Sequence, residues 1–320
     1  MTLRVAFLGT PEVAVPALQA LIEDDDIDLQ VAVTNPDRPK GRSKRPVPPA
    51  VKQAAEAAGI AVWQPQRPRE IAEDLAALDL DVCAVVAYGA LLPKDVLEIP
   101  RLGFVNLHFS LLPRWRGAAP VQHALRAGDT RTGITTFVLD EGMDTGPVIE
   151  RVEVDIDPSE SAGELLARLA ELGAPVLARS LHRLAAGEPP EPQPDDGATI
   201  APKITPDDVA LDLAASVREV VDLVRSADPA PGAHTTFRGD RLKVFRTVPV
   251  AASELPADVG SGPDEPGRLV HVDKRGAVVA CGDGFVQLAE VQPVGKARMD
   301  GAAFVNGYRP EVGERLGADT

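Results

Sequence analysis

An amide and an imidazole stand two residues apart in Asn106-Leu107-His108, at the end of the apolar run Gly103-Phe104-Val105. Read as a strand, that run has a period of two, which puts Asn106 and His108 on one face. Open α/β sheets bind ligands outside the carboxyl ends of their strands, and polar groups buried there must be hydrogen-bonded. A carboxylate is available further on, in Asp140-Glu141-Gly142-Met143-Asp144-Thr145-Gly146-Pro147. Asp140 and Glu141 read as solvated turn residues. Asp144 differs because Gly142 and Gly146 flank it, and glycine lets backbone approach a ligand closely. An amide, an imidazole and a carboxylate without a Ser or Cys nucleophile suit chemistry on a carbonyl whose attacking atom arrives with the substrate. The spacing does not say what that acceptor is.

Two loops beside these residues are apolar where loops are usually polar: Leu111-Leu112-Pro113-Arg114-Trp115-Arg116-Gly117 and Tyr88-Gly89-Ala90-Leu91-Leu92-Pro93. They read either as plugs under a sheet or as walls of a pocket for a flat ligand. Gly9-Thr10-Pro11-Glu12 occupies the place of a dinucleotide fingerprint but lacks its glycines, which argues against a nicotinamide-dependent oxidoreductase. The five histidines are scattered, and neither a Walker motif nor a metal-ligand cluster is present.

The elements that must position these groups follow from apolar periodicity. Strands are expected over Arg4–Gly9, Leu29–Thr34, Asp81–Ala87, Gly103–His108 and Gly133–Leu139. Helices are expected over Pro11–Ile22, with Thr10 as N-cap, over Pro49–Ala58, and over Ser161–Ala186, with Ser159 or Ser161 capping. The fully apolar Asp81–Ala87 run belongs inside a sheet covered on both faces. The alternation predicts an α/β, doubly wound, mostly parallel, Rossmann-like sheet. A Pro-rich linker follows, then a helix over Leu211–Ser226. Five short strands between His234 and Val291 predict a small antiparallel OB-like barrel. The expected division is a catalytic domain over 1–187, a linker over 188–206 and a barrel domain over 207–320.

No apolar stretch approaches the ~20 residues of a membrane span, and the N-terminal run is too short for a signal peptide. Cys83 and Cys281 lie far apart in apolar surroundings, so a reducing cytoplasm is expected. The net charge of −15 argues against a general nucleic-acid binder. Residues 201–320 carry 14 Lys and Arg against 18 Asp and Glu, a net of −4, which leaves −11 for residues 1–200. One stretch runs the other way: Asp37 to Pro46 holds five cations, Arg38, Lys40, Arg42, Lys44 and Arg45, and one anion. Lys203, Arg241, Lys243, Arg246, Lys296 and Arg298 are the second half's candidates for a positive face.

At these residues the chain resembles the methionyl-tRNA formyltransferase family. The likeness runs through Phe7 to Pro16, Thr34 to Arg42, Val86 to Gly89, Asn106 to Pro120, Asp140 to Pro147, Ala201 to Ile204 and Gln292 to Met299. Asn106, His108 and Asp144 alone mark only the wider folate-dependent formyltransferase and hydrolase superfamily. The basic loop and the ending around Lys296 are more specific. The resemblance implies 10-formyltetrahydrofolate as formyl donor, with no metal, and the α-amino group of methionine on charged initiator tRNA as acceptor. It implies Asn106, His108 and Asp144 as the catalytic set. Ser110, Leu111, Leu112, Pro113, Tyr88 and Gly89 would line the folate site. Arg38, Lys40, Arg42, Lys44 and Arg45 would meet tRNA, Arg42 foremost, with further contacts from the barrel. Asn106 and His108 would stabilise the formyl oxygen. Asp144 would hold the imidazole tautomer and help move the amine's proton. A monomer is expected. The rivals are a formyltetrahydrofolate hydrolase, a nucleotide-sugar formyltransferase and a non-catalytic tRNA-binding protein.

Overall fold

A computed structural model describes residues 2–39, 45–256, 259 and 265–317. The chain divides into two compact units. One comprises Met1–Pro120, Arg131–Asp155 and Leu166–Ala201, the other Val121–Thr130, Ile156–Leu165 and Pro202–Thr320.

The first unit is built on β1 (Leu3–Gly9), β2 (Ile27–Val33), β3 (Arg38–Pro39), β4 (Pro46–Val47), β5 (Val62–Trp63), β6 (Val82–Val86), β7 (Phe104–His108), β8 (Arg131–Val138) and β9 (Val148–Asp155). Seven of these form one sheet in the order β5-β2-β1-β6-β7-β8-β9, and β3 pairs with β4 separately. The sheet is parallel from β5 to β7, then antiparallel at β8 and β9. Every residue of β6 is buried, as its unbroken apolar run requires. The chain leaves β1 toward β2 and returns past it to β6, so the switch in strand order lies between β1 and β6, one strand away from β7.

The helices are α1 (Val15–Ile22), α2 (Ala50–Ala57), α3 (Ala72–Ala77), α4 (Lys94–Leu97), α5 (Pro120–Arg126), α6 (Ala162–Ala185), α7 (Val217–Ser226) and α8 (Gly301–Tyr308). Thr10 does not cap the first helix. The chain enters through a 3-10 turn at Glu12–Ala14, and the Thr10 hydroxyl donates instead to the Tyr88 carbonyl at 3.1 Å. Ser161 caps α6 in a reciprocal box: Glu164 N–H reaches its hydroxyl at 3.3 Å, and the Glu164 carboxylate accepts from Ser161 N–H at 2.9 Å. The helix expected from Leu211 begins only at Val217, where Ser216 and Glu219 form the same box. Leu211 instead donates its N–H to the His234 carbonyl.

The second unit carries β10 (Ala233–Phe237), β11 (Asp240–Val250), β12 (Leu269–Asp273), β13 (Gly276–Ala280), β14 (Phe285–Pro293) and β15 (Met299–Asp300). Its strands run β10-β11-β14-β13-β12, with β15 on β14. Residues 313–317 close the ring: Leu269 N–H bonds Glu314 O at 2.7 Å, Leu316 N–H bonds Gly267 O at 2.8 Å, and Gly317 N–H bonds Thr236 O at 3.0 Å. Val220, Val224, Phe237, Leu242, Val286, Leu288, Phe304 and Leu316 fill its core. Both cysteines are buried, and burial pushes the Cys281 thiol up to about 12, so neither is a thiolate at neutral pH.

Candidate active site

Asn106 and His108 share a face of β7 at its carboxyl end, as the period of two demands. Asn106 lies opposite Val85 on β6 and Phe137 on β8, and His108 lies opposite Thr135. Asn106 is half-buried and His108 is 6% exposed. The imidazole Nε2 sits 2.9 Å from the Trp115 carbonyl. A carbonyl can only accept, so Nε2 carries the proton and the neutral ring presents its Nδ1 lone pair. Nδ1 lies 3.7 Å from Asp144 Oδ2. That is beyond a hydrogen bond but close enough for the charge to act. Burial pushes the imidazole below its ordinary pKa, against the opposing pull of the Asp144 charge and the Trp115 carbonyl. Phe137 holds the ring edge-on, with centroids 6.4 Å apart.

Asp144 has φ +55, the left-handed region that a side chain adopts only when its surroundings enforce it. Asp140 pins the turn from within, its carboxylate accepting from Gly142 N–H at 3.0 Å and the Thr145 hydroxyl at 2.7 Å. The Asp144 carboxylate accepts from Gly117 N–H at 2.7 Å. Gly117 has φ +123, and a Cβ there would lie 2.7 Å from the Ala201 carbonyl. The neighbouring turn is held by residues 199–201. Trp115 N–H bonds the Thr199 hydroxyl at 2.9 Å, Arg116 N–H bonds Thr199 O at 2.8 Å, and Ala201 N–H bonds Arg116 O at 2.7 Å.

The six residues expected along a ligand wall divide by what they already bond. Ser110 is fully buried and donates its hydroxyl to Arg114 O at 2.6 Å. The Thr135 hydroxyl donates to Ser110 O at 2.7 Å and accepts from Leu112 N–H at 3.1 Å. Leu112 is buried with Phe137 and Val148, and Leu111 packs over Gly133, where a Cβ would meet it at 2.6 Å. Pro113 is half-buried. Tyr88 is buried in the core, and burial raises its phenol pKa. The Tyr88 carbonyl accepts from Thr10 and from Asn35 Nδ2 at 2.7 Å. Gly89, at φ +80, is exposed.

Of the basic loop, Lys40, Arg42 and Lys44 lie outside the described residues. Arg38 and Arg45 are exposed, and Arg38–Pro39 pairs with Pro46–Val47 as a ribbon. Its base is anchored at Asp37, which accepts from Gln64 at 2.8 Å and Lys52 at 3.1 Å. The Gln64 bond, then the Lys52 cation, hold that carboxyl below the usual range. In the second unit Arg298 pairs with Asp228 at 2.7 Å and with Glu290 at 2.9 Å, over the Phe245 ring. Lys243 donates to Pro231 O. Two of the six cations considered for a positive face are thus engaged within the barrel.

The formyl transferase family matches residues 3–181, and the formyl transferase C-terminal domain matches residues 203–309. Methionyl-tRNA formyltransferase of Streptomyces coelicolor is 46% identical over 98% of this chain and 100% of its own length. That of Thermobifida fusca is 46% identical over 99% and 100%.

The chain belongs to the methionyl-tRNA formyltransferase family.

Solved structures share its fold at low identity. A methionyl-tRNA formyltransferase from Clostridium thermocellum has a TM-score of 0.58 at 16% identity, covering 78% of this chain and 95% of that one. HypX from Aquifex aeolicus, in complex with tetrahydrofolic acid, has a TM-score of 0.66 at 16% identity, covering 98% of this chain and 49% of that one. For this family member, sequence reasoning overlooked three side chains around the site. Asn35 links the ends of β1, β2 and β6 through Thr10 and the Tyr88 carbonyl, and an Asn just before a proline at a strand end was its signal. Thr199 and Gln193 lay in what read as a spacer, and nothing local distinguished them. Gln193 bonds Asp144 O at 2.9 Å, Gly146 O at 2.7 Å and Arg116 Nη2 at 2.8 Å. No group of three or more His, Cys, Asp or Glu able to hold a metal occurs among the described residues, and no described helix is long and apolar enough to cross a membrane.

Proposed function

We propose that this chain transfers the formyl group of 10-formyltetrahydrofolate to the α-amino group of methionyl initiator tRNA, in the cytoplasm. The observation that carries this reading is the 46% identity to methionyl-tRNA formyltransferases through both the catalytic and the C-terminal regions. The site chemistry agrees with it. The amine attacks the formyl carbon, a C–N bond forms, and charge develops on the formyl oxygen. Asn106 donates its amide N–H to that oxygen, an effect worth about 10²–10³ in rate for one donor. His108 keeps Nε2–H on Trp115 O, so Nδ1 is the nitrogen free to take the amine's proton. The bond from the formyl carbon to folate N10 then breaks, and that nitrogen receives the proton. Asp144 stabilises the imidazolium formed in between. The tautomer itself follows from the Trp115 carbonyl, which leaves Asp144 an electrostatic part. Arg38, Lys40, Arg42, Lys44 and Arg45 contact the tRNA.

Incubation with 10-formyltetrahydrofolate and charged initiator tRNA tests the reading. Formyl-methionyl-tRNA is expected. Formate release with the tRNA left unformylated would instead make the protein a hydrolase.

A further inference from the structure

We propose that Gln193 is a positioning residue for formyl transfer: its side-chain amide clamps the Asp144 turn to the Trp115-Arg116-Gly117 turn and so sets how Asp144 approaches His108. The inference rests on the formyl-transfer reading above. Gln193 Nε2 donates to Asp144 O at 2.9 Å and to Gly146 O at 2.7 Å, while Oε1 accepts from Arg116 Nε at 3.2 Å and Nη2 at 2.8 Å. Both amide protons and the amide oxygen are therefore used. The reverse orientation would set donors against a guanidinium and an oxygen against two carbonyls, so Arg116 fixes which way the amide faces.

The three-residue turn has one task per residue. The Trp115 carbonyl takes His108 Nε2, Arg116 grips Gln193, and Gly117 N–H takes the Asp144 carboxylate. Asp144 holds a left-handed backbone, which persists only where the surrounding structure imposes it. Gln193 is the side chain that bonds its carbonyl. The segment bearing Gln193 is pinned independently. Glu191 exchanges both backbone bonds with Val148 at 2.7 Å, and Thr199 and Ala201 bond Trp115 and Arg116. Removing the Gln193 side chain therefore loosens the Asp144 turn and leaves the segment in place.

The test uses full-length Gln193→Met and Gln193→Glu with 10-formyltetrahydrofolate and charged initiator tRNA. Glu keeps an acceptor for Arg116 but has no donor for the two carbonyls, so it should fail as Met does. Both variants are expected to lose about 10- to 100-fold in kcat, the scale of a misplacement near 1 Å, with both KM values little changed. The acid limb of kcat/KM should move to lower pH in Gln193→Met, as in Asp144→Asn, which a purely structural role would not produce. On an Asp144→Asn background, Gln193→Met should add little further loss, because the group it acts through is gone. Wild-type kcat in either folded variant overturns the proposal, as does a full multiplicative loss on the Asp144→Asn background. Wild-type protein that makes no formyl-methionyl-tRNA overturns the underlying reading as well.

Discussion

With its Nε2 proton committed to a carbonyl, His108 has one nitrogen left for chemistry, and that sets how its variants must behave. Asn106→Ala and His108→Ala should fold, since each removes a side chain at a strand end, and should lose about 10²-fold or more in kcat. Near-wild-type turnover in either purified variant would refute the assignment. The pH dependence follows from the direction of the imidazole shift. Nδ1 must be unprotonated to accept the amine's proton, and burial lowers the pKa of that ring. Activity should therefore persist below the ordinary imidazole pKa of about 6.5 and fall only at more acid pH. The Asp144 charge raises that pKa, so the residual activity of Asp144→Asn should show its acid limb displaced downward. A kcat/KM profile in both proteins checks the sign. At this scale Asn106 and His108 were readable from a period of two. The partner of His108 Nε2, a backbone carbonyl seven residues on, leaves no trace in residue types.

At the scale of elements, the loop after β7 is shaped by one hydroxyl of β8. Thr135 bonds both Ser110 O and Leu112 N–H in a fully buried setting. Thr135→Val keeps the shape and strands two backbone groups, so it should destabilise the protein by about 1–3 kcal/mol, read as a lower urea midpoint with an unchanged m-value. Strand and helix runs in the first unit were legible because burial on two faces imposes continuous apolar stretches. β9 was not, because it is an antiparallel edge strand with alternating exposure and no apolar run. α8 was missed for its two glycines, although Asp300 caps it by accepting from Ala303 N–H at 2.7 Å. Pro189 to Asp195 read as a spacer because its prolines and acids describe composition, whereas Glu191 and Gln193 act through bonds to residues some 40 to 80 positions away.

For the whole molecule, the charge pattern makes a prediction that separates recognition from folding. For an enzyme of net charge −15, the proposed grip of the basic loop on tRNA implies a KM for tRNA that rises steeply with salt. Arg42→Ala should reduce that slope by about one and leave the KM for folate unchanged. Arg298→Ala should behave oppositely. Its guanidinium joins Asp228 and Glu290 inside the barrel unit, so melting temperature should fall while the salt slope stays as in wild type. Fold class and family were legible because motifs recur along the whole chain. How the barrel closes was not, because its last link joins residues far apart in sequence. Phe237 meets Leu316, and Gly267 meets Leu316 as well. A ring joined through such distant partners has a folding order built into it. The β10–β11, β12–β13 and β13–β14 hairpins can zip locally, while the pairing of β11 with β14, and the bonds of residues 313–317 to the outer edges of β10 and β12, wait on loop closures whose entropy is lost before their contacts form. Until then the outer edges of β10 and β12 are bare, and such edges pair with other chains. Refolding should therefore show late amide protection at Leu269 and Gly317, and aggregation that grows with protein concentration during that interval.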